Sequence, residues 1–295
     1  METVAHTGYE AGLKEYVDRE RAAVDLTNSV GQLMYGKGVE LVLFRNHLLD
    51  ISISEVIKLF GYAGQVVNKP IDVETTAAVA RGLLELDLAP SKIDIGKLAH
   101  EFSRSGNTSV TDFLKIHLKD FIGQDKHKFK PQDVVLYGFG RIGRIAAREL
   151  VKQAGKGQQL RLRAIVTRTL TEAEIVKRAA LLRNDSVHGA FKGTVIEDVP
   201  NKQIIINGQQ VQLIAAANPE DIDYTQYGIN NALVIDNTGA FTKRADLERH
   251  LKSKGVAKVL LTAPGKEIPN VVYGINHQDL DIEHERIFSA ASCTT

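Results

Sequence analysis

Gly138, Gly140 and Gly143 stand at G-x-G-x-x-G spacing directly after the apolar run Val134-Val135-Leu136-Tyr137. Glycines spaced in this way can hold a pyrophosphate. The first permits a tight turn, the second lets the backbone approach the phosphates, and the third lets the following helix pack closely on the strand. A helix carrying Ile145-Ala146-Ala147-Arg148-Glu149-Leu150-Val151 would then turn its unpaired N–H groups and partial positive charge toward the anion. The spacing alone is shared with ordinary glycine turns. Strand, glycines and helix in this order are what the binding mechanism requires.

The elements around the loop follow from the same kind of reading. Val134 to Tyr137 is a continuous apolar run, as in a buried parallel strand. A second strand is expected over Leu162-Arg163-Ala164-Ile165-Val166-Thr167-Arg168. The next helix opens at Thr171, where Glu174 completes a capping box and Ile175, Val176, Ala179, Ala180 and Leu182 form a buried stripe. Further strands are expected at Gln203 to Ile206, Val211 to Ala215, Leu233 to Ile235 and Val259 to Thr262, with a turn at Asn207-Gly208 and a helix from Arg244 to Lys252. Alternating strands and helices predict an α/β fold, a Rossmann-type NAD(P)-binding domain over residues 132–295. Such a sheet binds its ligand at the carboxyl ends of its strands, where Thr167-Arg168, Asn237-Thr238-Gly239 and Thr262-Ala263-Pro264-Gly265 fall.

Residues 1–125 read as an amino-terminal helical domain of unknown role. Leu13, Tyr16, Val17, Ala23, Val24 and Leu26 mark a first amphipathic segment. Ser54 is a candidate N-cap, Asp72 another for a helix through Leu86, and Ser109 with Asp112 resembles a capping box. Nothing in this part has metal-ligand, nucleophile or phosphate-loop spacing, and no metal site is expected. The polar, basic stretch from Gly123 to Pro131 reads as the boundary between the domains.

The chain of 295 residues is long enough for two domains with their own cores, and 43% hydrophobic with 25% charged residues is ordinary for a globular protein. A net charge of +1 creates no field that would steer nucleic acid or a membrane surface to the chain, so neither is expected as a partner. The single cysteine excludes an internal disulfide and fits a reducing compartment. No basic and apolar leader follows Met1, and no apolar run approaches the ~18 residues of a membrane helix. A cytoplasmic location is the expectation.

The stretches Gly138-Phe139-Gly140-Arg141-Ile142-Gly143-Arg144, Asn184-Asp185-Ser186-Val187-His188-Gly189, Asp236-Asn237-Thr238-Gly239-Ala240-Phe241, Gly274-Ile275-Asn276-His277 and Ala291-Ser292-Cys293-Thr294-Thr295, taken in this order, resemble the glyceraldehyde-3-phosphate dehydrogenases. The resemblance covers roughly residues 134–295 and leaves the helical part outside the common family core. It implies an oxidoreductase of the phosphorylating kind, in which Cys293 is the catalytic thiolate that attacks the aldehyde of glyceraldehyde 3-phosphate. The thioester is then displaced by inorganic phosphate, and hydride goes to NAD or NADP. A thiolate suits this role because it is strongly nucleophilic at neutral pH and its thioester stays reactive. By the same resemblance Ser292 and Thr294 bind phosphate or substrate. Gly138, Gly140, Arg141, Ile142 and Gly143 lie against the pyrophosphate, with Thr238, Gly239 and Thr262 along the rest of the cofactor. A homo-oligomer, as a tetramer, is implied for the full-length protein.

The chain departs from the family pattern at the end of the second strand. An NAD site carries an acidic residue roughly 20 residues beyond the glycines to accept the ribose hydroxyls. The family pattern has Asn-Asp there, and this chain has Thr167-Arg168. A guanidinium cannot accept those hydrogen bonds but pairs with a 2′-phosphate, so NADP use or relaxed preference is expected, unless Arg168 simply points into water. The chain also stops two residues after Cys293. In the family the catalytic histidine and the substrate-phosphate arginine come later, so this chain is expected to be an incomplete part, lacking the catalytic domain and inactive alone. Erythrose-4-phosphate dehydrogenase and a non-catalytic nucleotide-binding or regulatory module stay open as alternatives.

Overall fold

The computed structural model describes residues 2–123, 130–155 and 159–290, and its contacts divide the chain into two units, Met1–Phe129 and Lys130–Thr295. The first unit contains α1 (Glu2–Gln32), β1 (Val39–Leu43), β2 (Asn46–His47), α2 (Ile53–Gln65), α3 (Val73–Glu85), β3 (Ser91–Asp94), α4 (Ile95–Arg104) and α5 (Val110–His117). α2, α3, α4 and α5 start where side chains satisfy orphan N–H groups of the first turn. Asp72 accepts from Thr75 N at 2.6 Å, and Ser109 accepts from Asp112 N at 3.2 Å without the reciprocal bond, since the aspartate is short.

Three expectations for this unit need correction. α2 is capped by Ser52, not Ser54, because only Ser52 has a glutamate three residues on, and Glu55 closes the capping box at 2.7 Å from Ser52 N. The unit is also not purely helical. β1 pairs in parallel with β3 and antiparallel with β2 in a small sheet. Finally, Leu13, Tyr16, Val17 and Val24 are exposed, and the buried face of α1 is Ala22, Ala23, Leu26 and Val30 in its later turns. α1 packs against α2 and α3.

The second unit is built on a sheet of β4 (Gln132–Tyr137), β5 (Leu160–Thr167), β8 (Val195–Asp198), β9 (Gln203–Ile206), β10 (Gln209–Ala215), β11 (Ala232–Asp236), β12 (Val256–Leu261) and β13 (Ile287–Ser289), with a separate short pair β6 (Asn184–Asp185) and β7 (Gly189–Ala190). The sheet order is β13-β12-β11-β4-β5-β10-β9-β8. All neighbours from β13 to β10 are parallel, and β9 and β8 complete an antiparallel edge. The β9–β10 hairpin turns through Asn207 and Gly208 at φ 48° and 79°, the positive values that a two-residue turn matching the strand twist demands.

Side chains alternate across the sheet as the strand period requires. Val134 and Leu136 pack on one face with Ala147 and Val151 of α6 (Arg141–Gln153) and Ile175, Ala179 and Leu182 of α7 (Glu172–Arg183). Val135 and Tyr137 pack on the other with Ala164, Val166, Tyr224 and Val234. Leu247 of α8 (Arg244–Leu251) joins Val259, Leu261 and Ile287 at the β12–β13 end. Register sets the strand ends level: Tyr137 lies opposite both Val166 and Asp236, and Asp236 opposite Leu261. No helix among the described residues is long and apolar enough to cross a membrane.

Candidate functional site

The chain reverses direction of travel across the sheet between β4 and its neighbours β5 and β11, and the carboxyl ends of these strands open into a cavity of about 420 Å³. Each glycine of the loop has its own reason for being there. Gly138 turns at φ 92°, and an added Cβ would come 2.8 Å from Thr238 Cγ2. A Cβ on Gly143 would lie 2.4 Å from the Gly138 carbonyl oxygen, so the start of α6 can approach β4 only without a side chain. Gly140 is different: a Cβ there meets nothing, and the space belongs to the cavity. No side chain caps α6. Its first N–H groups are therefore without a side-chain partner, as at helix starts that hold an anion.

The turn after β11 is held from beneath. Asp236 is fully buried and accepts from Thr238 N at 2.8 Å and Thr238 Oγ1 at 2.7 Å through Oδ1, while Oδ2 lies 2.9 Å from Nε2 of the equally buried His250. Its backbone carbonyl accepts from the N–H and hydroxyl of Thr262, at 3.1 and 3.0 Å. Tyr137 meets His250 edge-on at 4.6 Å, and burial followed by the Asp236 charge pushes its phenol up to about 12, so it is a neutral wall of the cavity. Asn237 Oδ1 beside the glycines is buried without a hydrogen-bond partner.

Of the residues singled out from the sequence, Gly138, Gly140, Arg168 and Thr238 line the cavity. Gly143 is not among the cavity walls but packs against the Gly138 carbonyl behind them, and Gly239 belongs to the Thr238 turn with φ 68°. Arg141 and Ile142 stand exposed on the first turn of α6. Thr262 lies outside the cavity walls, its hydroxyl already donated to Asp236. Ser292, Cys293 and Thr294 lie outside the described residues. No cluster of His, Cys, Asp and Glu among the described residues could hold a metal.

Sequence reasoning missed the buried Asp236–His250 pair and gave no role to Arg144 and Asp185. Arg144 Nη2 donates to Asp185 Oδ2 at 2.8 Å, and Oδ1 of Asp185 accepts from Val187 N and His188 N at 3.0 and 3.1 Å. The pair fastens the 185–190 loop to α6, with Arg148 donating to Leu182 O and Gly189 O. The Arg144 bond, then those N–H groups, hold the Asp185 carboxyl far below its ordinary 3.8. A depressed carboxyl contributes stability that is complete above the ordinary value and is lost as the pH falls beneath it. Asp185→Asn is therefore expected to lower the melting temperature at neutral pH and flatten its fall below pH 3.8, as read in thermal melts across the acid range.

A doubly wound sheet with a glycine cradle at its switch point defines a dinucleotide-binding domain. Residues 132–244 match the family described as the glyceraldehyde 3-phosphate dehydrogenase NAD binding domain. The chain is 43% identical over 271 residues, 90% of its length and 59% of the relative's, to a glyceraldehyde-3-phosphate dehydrogenase-like protein of Pseudomonas aeruginosa (strain UCBPP-PA14). It is 36% identical over 163 residues to the glyceraldehyde-3-phosphate dehydrogenase of Clostridium pasteurianum, covering 55% of this chain and 45% of that one. The corresponding enzyme of Lactococcus lactis subsp. lactis is 38% identical over 163 residues, again 55% of this chain and 44% of that one. Residues 132–244 thus match the NAD-binding domain of the glyceraldehyde-3-phosphate dehydrogenases. The chain spans 59% of the first of these relatives and under half of the other two. The longer match to the Pseudomonas protein exceeds the length of the second unit, so that relative also shares part of the first.

Proposed function

We propose that this chain belongs to a phosphorylating glyceraldehyde-3-phosphate dehydrogenase working with NAD or NADP. The glycine cradle at the switch point is the observation that carries this reading, because its open Gly140 and uncapped α6 suit a pyrophosphate. Arg141 and Ile142 lie beside the phosphates, and Thr238, Gly239 and Thr262 follow the cofactor toward its nicotinamide. The bound cofactor supplies the hydride acceptor. Cys293 attacks the aldehyde carbon, and inorganic phosphate displaces the resulting thioester, with Ser292 and Thr294 binding phosphate or substrate. In support, β13 runs parallel to β12 and carries the chain to the carboxyl edge of the sheet, where Ala290 N donates to Leu261 O just ahead of this motif. A homotetramer in the cytoplasm completes the reading.

The natural gene product, its intact mass recorded, is assayed with glyceraldehyde 3-phosphate, phosphate and either cofactor. Phosphate-dependent formation of reduced cofactor is expected, together with alkylation of Cys293 by iodoacetamide at pH 7 much faster than that of free cysteine. Dinucleotide binding without turnover, and with an ordinary thiol, would make the protein a nucleotide-binding module instead.

A further inference from the structure

The adenosine end of the cavity, at the carboxyl end of β5, carries two arginines and no free carboxylate. Arg168 lines the cavity and makes no hydrogen bond or ion pair with any described residue. Arg178, from the second turn of α7, lines the same wall. Its Nη2 reaches back to Thr169 O at 3.4 Å, and its buried Nε has no partner. The nearest acidic group is Glu174, and it is already committed. Its Oε1 accepts from Thr169 Oγ1 at 2.6 Å and its Oε2 from Thr171 N at 2.9 Å, while Arg178 stands 3.7 Å away. Those bonds, the Thr169 hydroxyl first, hold its carboxyl below the ordinary range. Glu174 thus closes the capping box of α7, and both its oxygens already accept hydrogen bonds from the chain.

We infer that Arg168 and Arg178 together form a 2′-phosphate subsite, so that the domain selects NADP over NAD. The inference rests on the dinucleotide reading of the cavity. A guanidinium offers several N–H donors in a fixed plane, and one with a buried, unpartnered Nε gains a bond when a phosphate oxygen arrives. The ribose of NAD finds no carboxylate among the residues lining the cavity to accept from its hydroxyls.

The test is equilibrium binding of 2′,5′-ADP and 5′-AMP to the full chain at one fixed salt concentration, by calorimetry. The 2′-phosphate is expected to tighten binding about tenfold or more, the size of one or two charge-assisted hydrogen bonds. Arg168→Gln and Arg178→Gln should each remove most of that gain, read as the ratio of 2′,5′-ADP to 5′-AMP affinity in the same variant, and Arg168→Asp should shift the preference of the domain toward NAD. Equal affinities for the two nucleotides in the unaltered chain would overturn the inference while leaving the dinucleotide site standing. Loss confined to the Arg168 variants would overturn the role of Arg178. Binding of neither nucleotide would remove both this inference and the cofactor reading beneath it.

Discussion

Replacing Gly143 with alanine is expected to destabilise the second unit by about 1–3 kcal/mol, the usual cost of forcing atoms into a filled site, and to abolish detectable dinucleotide binding. The added Cβ would sit 2.4 Å from the Gly138 carbonyl oxygen, and backbone cannot swing aside as a flexible side chain can. Either α6 moves away from β4 or the Gly138 turn is driven outward, and both displace the N–H groups that face the phosphates. Gly140→Ala is the control that separates the two effects. Its Cβ meets no protein atom and its backbone is extended, so stability should change by no more than about 0.5 kcal/mol. The methyl group would nevertheless occupy the space reserved for the pyrophosphate, and affinity should fall. Chemical denaturation and dinucleotide binding measured on both variants check the pair. Equal stability losses at the two positions would show that the close approach of helix and strand is not the reason for Gly143.

The second large effect is expected at Asp236. Asp236→Ala should cost about 3–5 kcal/mol, because removing one partner of a buried pair strands the other. His250 is fully buried and its Nδ1 already lacks a partner, so the loss of Asp236 leaves the ring with no hydrogen bond at all. The turn after β11 would loosen in the same step, since the N–H and hydroxyl of Thr238 both end on the lost carboxylate. Adding His250→Leu to the variant should recover part of the stability by removing the orphaned ring, but it should not restore the turn. Urea denaturation of the single and double variants distinguishes this from simple loss of packing, in which the two costs would add.

Much of the second unit was legible because its determinants are local. The apolar runs of β4, β5 and β11, the Thr171–Glu174 box and the Asn207-Gly208 turn each announce themselves within a few residues. The first unit was less legible. β1 is an apolar run of five residues, as compatible with a buried helix segment as with a strand, and its parallel partner Ser91–Asp94 lies some fifty residues further on. β13 is three residues long and exists because β12 offers an edge. The same distinction runs through the site. Glycine spacing shows where a phosphate can approach, whereas the pairs Arg144–Asp185 and Asp236–His250 join residues 41 and 14 positions apart and need the finished sheet to bring them together. Arg168 was visible as a departure from a pattern. Arg178 was not, because its relevance depends on α7 returning its second turn to the end of β5.

Asp236 bonds through its carboxylate to Thr238 and His250 and through its carbonyl to Thr262, so the end of β11 is tied to its own turn, to α8 and to the end of β12. These positions consequently form one unit under mutation: the cost of changing any of them depends on the state of the others. A route of single substitutions that reshapes the nicotinamide side of the cavity has to pass through less stable intermediates, whereas the arginine wall at β5, which shares none of these bonds, is free to vary without disturbing the scaffold. On the proposed assignment, cofactor preference and cofactor positioning are held by separate parts of the same sheet, and one can drift while the other stays fixed.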